Sequence, residues 1–496
     1  MRLTTAAPLV FALAACGLTA KSDPSKDSSK SDPGSADGGH DQPDAGSNVN
    51  PTSSAYDPAK DGFTVHEWGT LTSVIASDGT LLPGLHHEEE DLPGFVADRM
   101  AEGTAVPWTV DQKMETPVTY FYSPTPRQVS VQVAFPKGIF TQWFPLVQSM
   151  NPPTYQGSNG SIDPWIDTTA TLSDSCRGRF EMEFAKTGFH DGKLDWGTVE
   201  VLAPHDSADL PSPLGKTTWG FARNTTSNPI RVTYNPNDPS APKQTEKFLF
   251  YRGLGNFDPP MRVQFHPATG NDKFQEPSFS NEEKARVLGS VFLLAVDSES
   301  GTLFDLGDLQ AGSTIGATVP RWIDQATGLH FATKEGREPL DAFVVTLGDR
   351  LAASLVKDGL YADEAKAMVD TWSHSWFRTP GVRLLYLLPQ DDTNQLIPLT
   401  VTPAPAHLKR TMVIRAEIVM PEQEDLFVVW LKDLDKGDQQ AQTAARAHFL
   451  GLGRFAEPML TRALQLTAND APVQAAGQKL LSEIRGTHRW APAWAQ

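Results

Sequence analysis

The chain has 496 residues, a formal net charge of −18 and two cysteines. Two cysteines exclude a disulfide-rich scaffold and a multi-cysteine zinc module. The acidic balance argues against a nucleic-acid partner, because phosphate binding needs concentrated positive charge. At about 100–200 residues per domain, the length suggests two or three domains with substantial buried cores.

The N-terminus has the pattern of a bacterial lipoprotein signal. Arg2 precedes a short apolar run that ends in the sequence Leu-Ala-Ala-Cys at 13–16. The run is shorter than the about 20 apolar residues that cross a bilayer, and it fits the core of a secretory signal. Leu-Ala-Ala-Cys resembles the lipobox, in which acyl chains such as palmitate are attached to the cysteine. We therefore predict a signal peptide over 1–15 and a lipidated Cys16, with a plain signal peptide as the alternative.

Residues 16–60 are rich in Ser, Asp, Pro, Gly and Lys and contain almost no apolar side chains. Such a segment cannot bury enough surface to offset chain entropy, so we predict a disordered tether. Behind the lipid anchor it holds the folded body near the envelope membrane. Gly17, rather than Asp, follows the cysteine, which favours the outer membrane. With Cys16 acylated, Cys176 is the remaining thiol, and we expect it to be buried.

From 61 to 300 the sequence consists of short alternating apolar runs separated by Pro, Gly, Asn and Asp. This pattern predicts an antiparallel, sandwich-like β body rather than a parallel nucleotide-binding sheet. The runs are Val118–Tyr122, Val129–Phe135, Arg179–Phe184, Thr198–Leu202, Ile230–Tyr234, Phe248–Arg252, Met261–Phe265 and Val291–Val296.

The segment 301–435 is predicted to be mixed α/β and to pack on the body. Apolar residues at helical spacing predict helices over Leu340–Leu360 and Asp363–Phe377, and strands follow at Val382–Leu388 and Thr411–Val419. The sequence of the tail, 436–496, predicts three helices, and its segment 450–460 resembles one unit of a HEAT-type repeat. The expected fold class is therefore α+β: a β-sandwich-like body, a mixed segment and a short helical tail.

Several common catalytic motifs are missing from the sequence. It contains no H-E-x-x-H, G-x-S-x-G or C-x-x-C motif. The run Leu-Gly-Lys-Thr at 214–217 imitates the end of a phosphate loop, but Leu210 stands where its first glycine would be. We therefore expect no nucleotide and predict no cofactor, while keeping a divalent metal open.

Charged residues within otherwise apolar runs are the first candidate site. In the strand around Phe-Thr-Val-His-Glu-Trp-Gly at 63–69, Glu67 shares an apolar face, while His66 and Trp68 point to the other face. A bare carboxylate on an apolar face needs a partner. Arg252 and Arg383 lie in similarly apolar runs, and Glu115 is a second such carboxylate; these three residues and Trp68 are binding candidates. We expect Glu67 to pair with Arg252 or Arg383, in a role that is either structural or catalytic.

The second candidate site is the run His-His-Glu-Glu-Glu-Asp at 86–91. Imidazole and carboxylate groups can hold zinc, manganese or calcium. Adjacent residues rarely converge on one ion, so His66 is the candidate distant ligand beside His86, His87 and Glu88. A solvated acidic loop is the alternative.

Several motifs together resemble an uncharacterised family of bacterial secreted proteins and lipoproteins. They are His-Glu-Trp-Gly-Thr at 66–70, Met-Glu-Thr-Pro-Val with Tyr-Phe-Tyr at 114–122, Phe-Tyr-Arg-Gly at 250–253, and Trp372 to Phe377 leading into Arg383 to Tyr386. The resemblance covers about 63–460 and departs at Leu71, where an aromatic is usual, and at His374, where an acidic residue is usual. It implies one composite architecture and no catalytic residue.

These features lead to three functional hypotheses. The first is a lipid-anchored envelope protein that is not an enzyme and binds a polysaccharide, peptide or protein partner through its β-rich body, with the 12 tryptophans as candidate platforms. The second is a metal-dependent envelope hydrolase that uses His66, Glu67, His86 and His87. The third is an assembly subunit that docks through its basic helical tail.

Overall fold

The computed structural model describes residues 55–98, 110–151, 190–204, 206, 208–213, 217–233, 243–266, 275–319 and 337–487. The predicted signal peptide, Cys16, the tether up to residue 54, Cys176 and the predicted strand Arg179–Phe184 lie outside these ranges. Within them, none of the helices combines the length and the apolar character needed to cross a membrane.

Nineteen strands are found in the described ranges, and they reproduce the predicted short runs there. They are β1 (Thr64–Ile75), β2 (Ala97–Asp98), β3 (Gln112–Tyr122), β4 (Arg127–Phe135), β5 (Gly138–Phe144), β6 (Ser149–Asn151), β7 (Gly192–Val201), β8 (Ile230–Thr233), β9 (Lys243–Glu246), β10 (Phe248–Gly255), β11 (Met261–His266), β12 (Glu276–Asn281), β13 (Leu288–Val296), β14 (Ser300–Leu309), β15 (Thr314–Gly316), β16 (Arg337–Pro339), β17 (Gly381–Leu388), β18 (Leu399–Thr402) and β19 (His407–Ile418).

Three sheets share one apolar core. A ten-stranded sheet has the order β16-β14-β13-β17-β19-β1-β3-β10-β5-β2, a six-stranded sheet has the order β18-β4-β7-β8-β9 with β6 beside β7, and a three-stranded sheet has the order β11-β12-β15. Side chains of all three sheets, such as Val65, Val131 and Phe279, belong to the same buried cluster. The fold is therefore α+β with a sandwich-like body, as the alternation predicts.

One pairing in the large sheet departs from the expected antiparallel arrangement. Strands β1 and β19 run parallel, with Glu67 opposite Arg410. Parallel neighbours cannot be joined by a hairpin and need a crossover connection. More than 300 residues separate these two strands in the chain, so local turns place no constraint on their direction.

The described ranges contain eight helices, and all of them except the one at Gln390–Leu396, which packs with the core between the sheets, lie in or beside the clusters on the second face of the ten-stranded sheet. The eight helices are α1 (Trp219–Ala222), α2 (Leu340–Asp358), α3 (Ala362–Trp372), α4 (Gln390–Leu396), α5 (Pro421–Asp435), α6 (Gln439–Gly451), α7 (Ala456–Leu466) and α8 (Ala471–Arg485), with a 3₁₀ turn at Gly453–Phe455. Helices α2 and α3 bury their apolar faces against strand residues such as Val118 and Leu385. Helices α5 to α8 form a separate cluster with Val74, Leu82, Leu85 and Val419.

Local signals place most of these helices. Gly359, in a left-handed conformation (φ 117°), ends α2. The Asp470 side chain accepts a hydrogen bond from the Val473 backbone N–H (3.4 Å) at the start of α8, as predicted. The predicted helix Asp363–Phe377 ends earlier, at Trp372. Helix α5 was not anticipated, although Pro421 at its first turn is a start signal.

The expected boundary at residue 300 falls at the tight turn between β13 and β14. Strands β17 and β19, from the predicted mixed segment, lie next to β13 and β1 in the ten-stranded sheet. The mixed segment thus completes the sheet of the body instead of packing on it as a separate layer.

Candidate functional site

Strand β1 points its side chains as the alternation predicts. Val65 and Leu71 lie in the core between the sheets, and Trp68 lies in the core under α2 and α3. Trp68 is 0% exposed, so it does not form the binding surface for which it was a candidate. All seven tryptophans in the described ranges are buried, which removes them as exposed platforms.

Glu67 forms a buried ion pair, but its partner is neither Arg252 nor Arg383. Arg410 donates from Nε and Nη2 to Glu67 Oε1, at 2.8 Å and 2.6 Å. Oε2 accepts from the hydroxyls of Thr119 (2.8 Å) and Tyr251 (2.6 Å). Since both carboxylate oxygens are occupied and Glu67 is 0% exposed, this group stabilises the sheet and is not available as a base.

His66 lies on the other face and pairs with helix α3. Its Nδ1 lies 2.8 Å from Glu364 Oε2, and the Tyr122 hydroxyl donates to Glu364 Oε1 at 2.8 Å. The imidazole packs against the Tyr361 ring at a tilt of 30°, with centroids 4.3 Å apart. Burial, and then the neighbouring Glu364 carboxylate, raise the pKa of Tyr122 well above its ordinary value. His66 therefore pairs with Glu364 and does not join His86 and His87. Its place in the predicted set of metal ligands is wrong.

A charged band crosses the helix-side face of the sheet, between the two helical clusters. We define it as Lys113, Glu115, Arg252, Arg383, Arg415 and Glu417 on the strands, with Glu88 and Arg454 above them. Arg252 Nη1 donates to Glu88 Oε2 (2.9 Å), and Lys113 Nζ lies 3.0 Å from the same oxygen. Glu88 is thus an ion-pair partner and not a metal ligand in this structure.

The remaining members of the charged band are also paired. Arg383 Nε and Arg415 Nε donate to Glu417 Oε1, at 2.9 Å and 2.6 Å, and Arg454 Nη1 donates to Glu115 Oε1. Burial lowers the pKa of Arg383 to about 10. Burial alone would raise the pKa of Glu115, but Arg454 and Lys113 outweigh it and hold that pKa below its ordinary value.

His86 and His87 converge on a residue that the sequence did not single out. Glu457 Oε2, on helix α7, lies 3.1 Å from His87 Nε2 and 3.6 Å from His86 Nδ1. All three residues are buried, with 4%, 0% and 0% exposure. This is the one group of metal-ligand type found in the part of the chain that the structure describes, and its ligand atoms lie within 4.8 Å of one another.

The β-rich body also carries a surface cleft of about 330 Å³. Its apolar lining comes from Phe257, Leu388, Leu396 and Ile414, and its polar lining includes Lys137, Asp258, Glu283, Arg286, Asp392 and Gln395. This size is near the lower end of ligand pockets, which are about 300–1,000 Å³.

Two charged side chains of the cleft form an ion pair and remain partly exposed. Arg286 Nη2 lies 2.9 Å from Glu283 Oε2 and also contacts Asp392 Oδ1. Arg286 Nε and Asp392 Oδ2 are buried and have no hydrogen-bond partner among the described residues. Burial raises the pKa of Asp392, and Arg286 acts in the opposite direction. The Arg286 and Asp392 side chains as a whole are 32% and 13% exposed, so the cleft offers a charged donor group and a charged acceptor group beside an apolar floor.

Sequence reasoning missed Arg410, Glu364, Glu457 and the cleft. The signal that marked Arg252 was present for Arg410, since Arg410 alternates with the apolar Leu408 and Met412 along β19. Glu457 and Glu364 are ordinary polar residues within helical patterns, and only the packing of their helices brings them to the histidines.

The comparisons with known proteins identify no relative from which an activity could be taken. No family model and no curated protein matches the chain. Among solved structures, it is similar to the yeast delta-COP-I mu-homology domain complexed with Dsl1 WxWxV peptide, at 6% identity and a TM-score of 0.22, over 72% of this chain and 96% of that one. The same yeast domain alone matches at 8% identity and TM-score 0.22, with the same coverage. Similarities this weak carry no argument.

Proposed function

We propose that the protein is a lipid-anchored envelope protein that binds a peptide segment of a partner through the cleft on its β-rich body. The observation that carries this proposal is the pairing of an apolar floor with the partly exposed, charged side chains of Arg286 and Asp392. A peptide supplies what this lining needs: an apolar side chain for the floor, a carbonyl to accept from Arg286 and an N–H to donate to Asp392.

A polysaccharide fits this cleft less well than a peptide. Sugar rings bind on flat, exposed aromatic faces, whereas the floor combines one phenylalanine with three aliphatic side chains. The described tryptophans are buried and cannot serve as such platforms. The glycan therefore becomes the alternative outcome of the binding test.

A hydrolase built on His66, Glu67, His86 and His87 receives less support. Glu67 is saturated by Arg410, Thr119 and Tyr251, and His66 is bound to Glu364. We therefore prefer binding to catalysis. Docking through the helical tail stays a prediction, which deletion of 436–496 and measurement of complex size would test.

The cleft is tested by panning the purified folded body against a random peptide display library and, in parallel, an oligosaccharide array. We expect enrichment of peptides with an apolar anchor. Gln395→Arg, which fills the exposed rim of the cleft, should weaken the binding of an enriched peptide at least about tenfold, equivalent to about 1.4 kcal/mol. Gln440→Arg makes the same change at an exposed site in the helical tail and should leave affinity unchanged.

Failure to enrich any peptide, or an affinity that Gln395→Arg leaves intact, would remove the cleft as the binding site. Enrichment on the oligosaccharide array alone would favour the glycan. The anchor is tested separately by labelling cells with palmitate: the wild-type chain should carry label and sediment with membranes, and Cys16→Ala should do neither.

A further inference from the structure

The buried cluster of His86, His87 and Glu457 has a hydrogen-bonding arrangement that calls for a cation. His87 Nδ1 lies 2.6 Å from the backbone carbonyl of Thr487, which can only accept, so Nδ1 must carry a proton. In a neutral imidazole the other nitrogen, Nε2, then carries a lone pair and no proton. That lone pair faces Glu457 Oε2 at 3.1 Å. Two electron-rich atoms stay this close in a buried site only with a proton or a metal ion between them.

The two distances from Glu457 to the histidines are close to the edges of a metal tetrahedron. Zinc binds imidazole nitrogen and carboxylate oxygen at about 2.0–2.2 Å, so tetrahedral geometry places neighbouring ligand atoms about 3.3–3.6 Å apart. Glu457 Oε2 lies 3.1 Å from His87 Nε2 and 3.6 Å from His86 Nδ1. Two imidazoles and one carboxylate also form a donor set suited to zinc, whereas calcium and magnesium prefer oxygen ligands.

Neighbouring groups orient each of these ligands. Arg485 Nε donates to Glu457 Oε1 at 2.8 Å, which leaves Oε2 directed at the histidines. The Thr487 carbonyl fixes the tautomer and ring orientation of His87, as second-shell partners do for metal-bound histidines. Gly84 makes room for Glu457, because a Cβ there would lie 2.5 Å from Glu457 Cγ.

We propose that His86, His87 and Glu457 bind a zinc ion that fastens the C-terminal helices to the loop following β1. The ligands come from both partners: the histidines from the loop that contributes Leu82 and Leu85 to the helical cluster, and Glu457 from α7. The site is closed, since the side chains of His86, His87 and Glu457 are 5%, 0% and 0% exposed. The three protein ligands leave the fourth position of the tetrahedron to a water molecule, and burial of the site leaves substrate no access, so the ion has an architectural role.

The experiment uses the full purified chain, stripped with a chelator and then titrated with Zn²⁺ or Co²⁺. We expect about one zinc per chain by elemental analysis, visible d–d bands typical of tetrahedral Co²⁺, and a melting temperature several degrees higher with zinc than without. Millimolar Ca²⁺ should cause no such rise.

Variants assign the ion to this cluster. Glu457→Gln and His87→Gln should abolish the cobalt bands and the thermal response. If either fails to fold, Arg485→Met removes only the group that orients Glu457 and should weaken zinc binding by about 10–100-fold. His66→Gln is the matched control, because it breaks another buried histidine–glutamate pair and should lower stability while retaining zinc binding.

Three results would overturn the proposal. The first is a stripped wild-type chain that takes up no zinc and does not change its melting temperature; the pair of His87 and Glu457 would then be a proton-bridged ion pair. The second is zinc binding that persists unchanged in folded His87→Gln and Glu457→Gln. The third is loss of zinc binding in His66→Gln to the same extent as in those variants.

Discussion

Glu67 and Arg410 face each other across the parallel strands β1 and β19, in an ion pair with both side chains at most 1% exposed. Arg410 also donates from Nη1 to the Ile397 carbonyl at 2.6 Å, so the pair joins three segments of the chain. Burial would lower the pKa of Arg410, but Glu67 outweighs it and raises that pKa above its ordinary value. Arg410 is therefore charged at neutral pH.

Glu67→Gln keeps the shape of the side chain and removes its charge. We expect the free energy of unfolding to fall by about 3–5 kcal/mol, because Arg410 becomes an uncompensated buried cation. Urea denaturation at pH 7 measures this loss. Asp370→Asn, which breaks the exposed pair with Lys366, should cost no more than about 1 kcal/mol. A loss below about 1 kcal/mol for Glu67→Gln would contradict the structural role of the pair.

Two tyrosines on β3 differ in what their hydroxyls bind. Tyr122 donates to the Glu364 carboxylate, whereas Tyr120 donates to the Ala222 carbonyl, each at 2.8 Å. A hydrogen bond to a charged group contributes about 1.5–3 kcal/mol and one to a neutral group about 0.5–1.5 kcal/mol. We expect Tyr122→Phe to be the more destabilising change in matched denaturation experiments. Equal losses would argue against a stronger hydrogen bond at Tyr122 than at Tyr120.

Asp111 gives the protein a pH-dependent weakness. Burial, assisted by the nearby Asp258 charge, raises its pKa from 3.8 to about 7. The folded state holds this proton more tightly than the unfolded chain, so Asp111 lowers stability as pH rises from about 4 to about 7, with no further change above that. Asp111→Asn should therefore raise the melting temperature at pH 8 and have little effect at pH 4. A gain that is the same at both pH values would rule out this titration.

Gly84 allows Glu457 to approach the loop. It adopts φ 112°, and an added Cβ would also meet Glu457. We expect Gly84→Ala to lower the free energy of unfolding by more than about 1 kcal/mol, through backbone strain and displacement of Glu457. Gly94→Ala is the control, since a Cβ at Gly94 meets nothing within 4 Å. Thermal melts of the two variants should differ clearly, and similar melting temperatures would show that the loop relaxes without cost.

The predicted charge pairs show where sequence reasoning ends. The apolar surroundings of Glu67, Arg252 and Arg383 correctly indicated buried ion pairs, because a buried charge requires a partner wherever the chain goes. The partners themselves were wrong: Arg410 holds Glu67, Glu88 holds Arg252 and Glu417 holds Arg383. Choosing among several cations and carboxylates requires the order and register of the strands.

Local features were determined by the sequence alone. The two faces of β1, the Asp470 cap and most short strands follow from residues a few positions apart, whose spacing decides which side chains share a face. The tertiary structure decided everything that joins distant segments. It set β1 parallel to β19 and brought Glu457 to His87, 370 positions away. The physical reason is that strand order and helix docking minimise the apolar surface exposed by the whole fold. A short stretch of sequence does not show which distant segments will cover its apolar side chains.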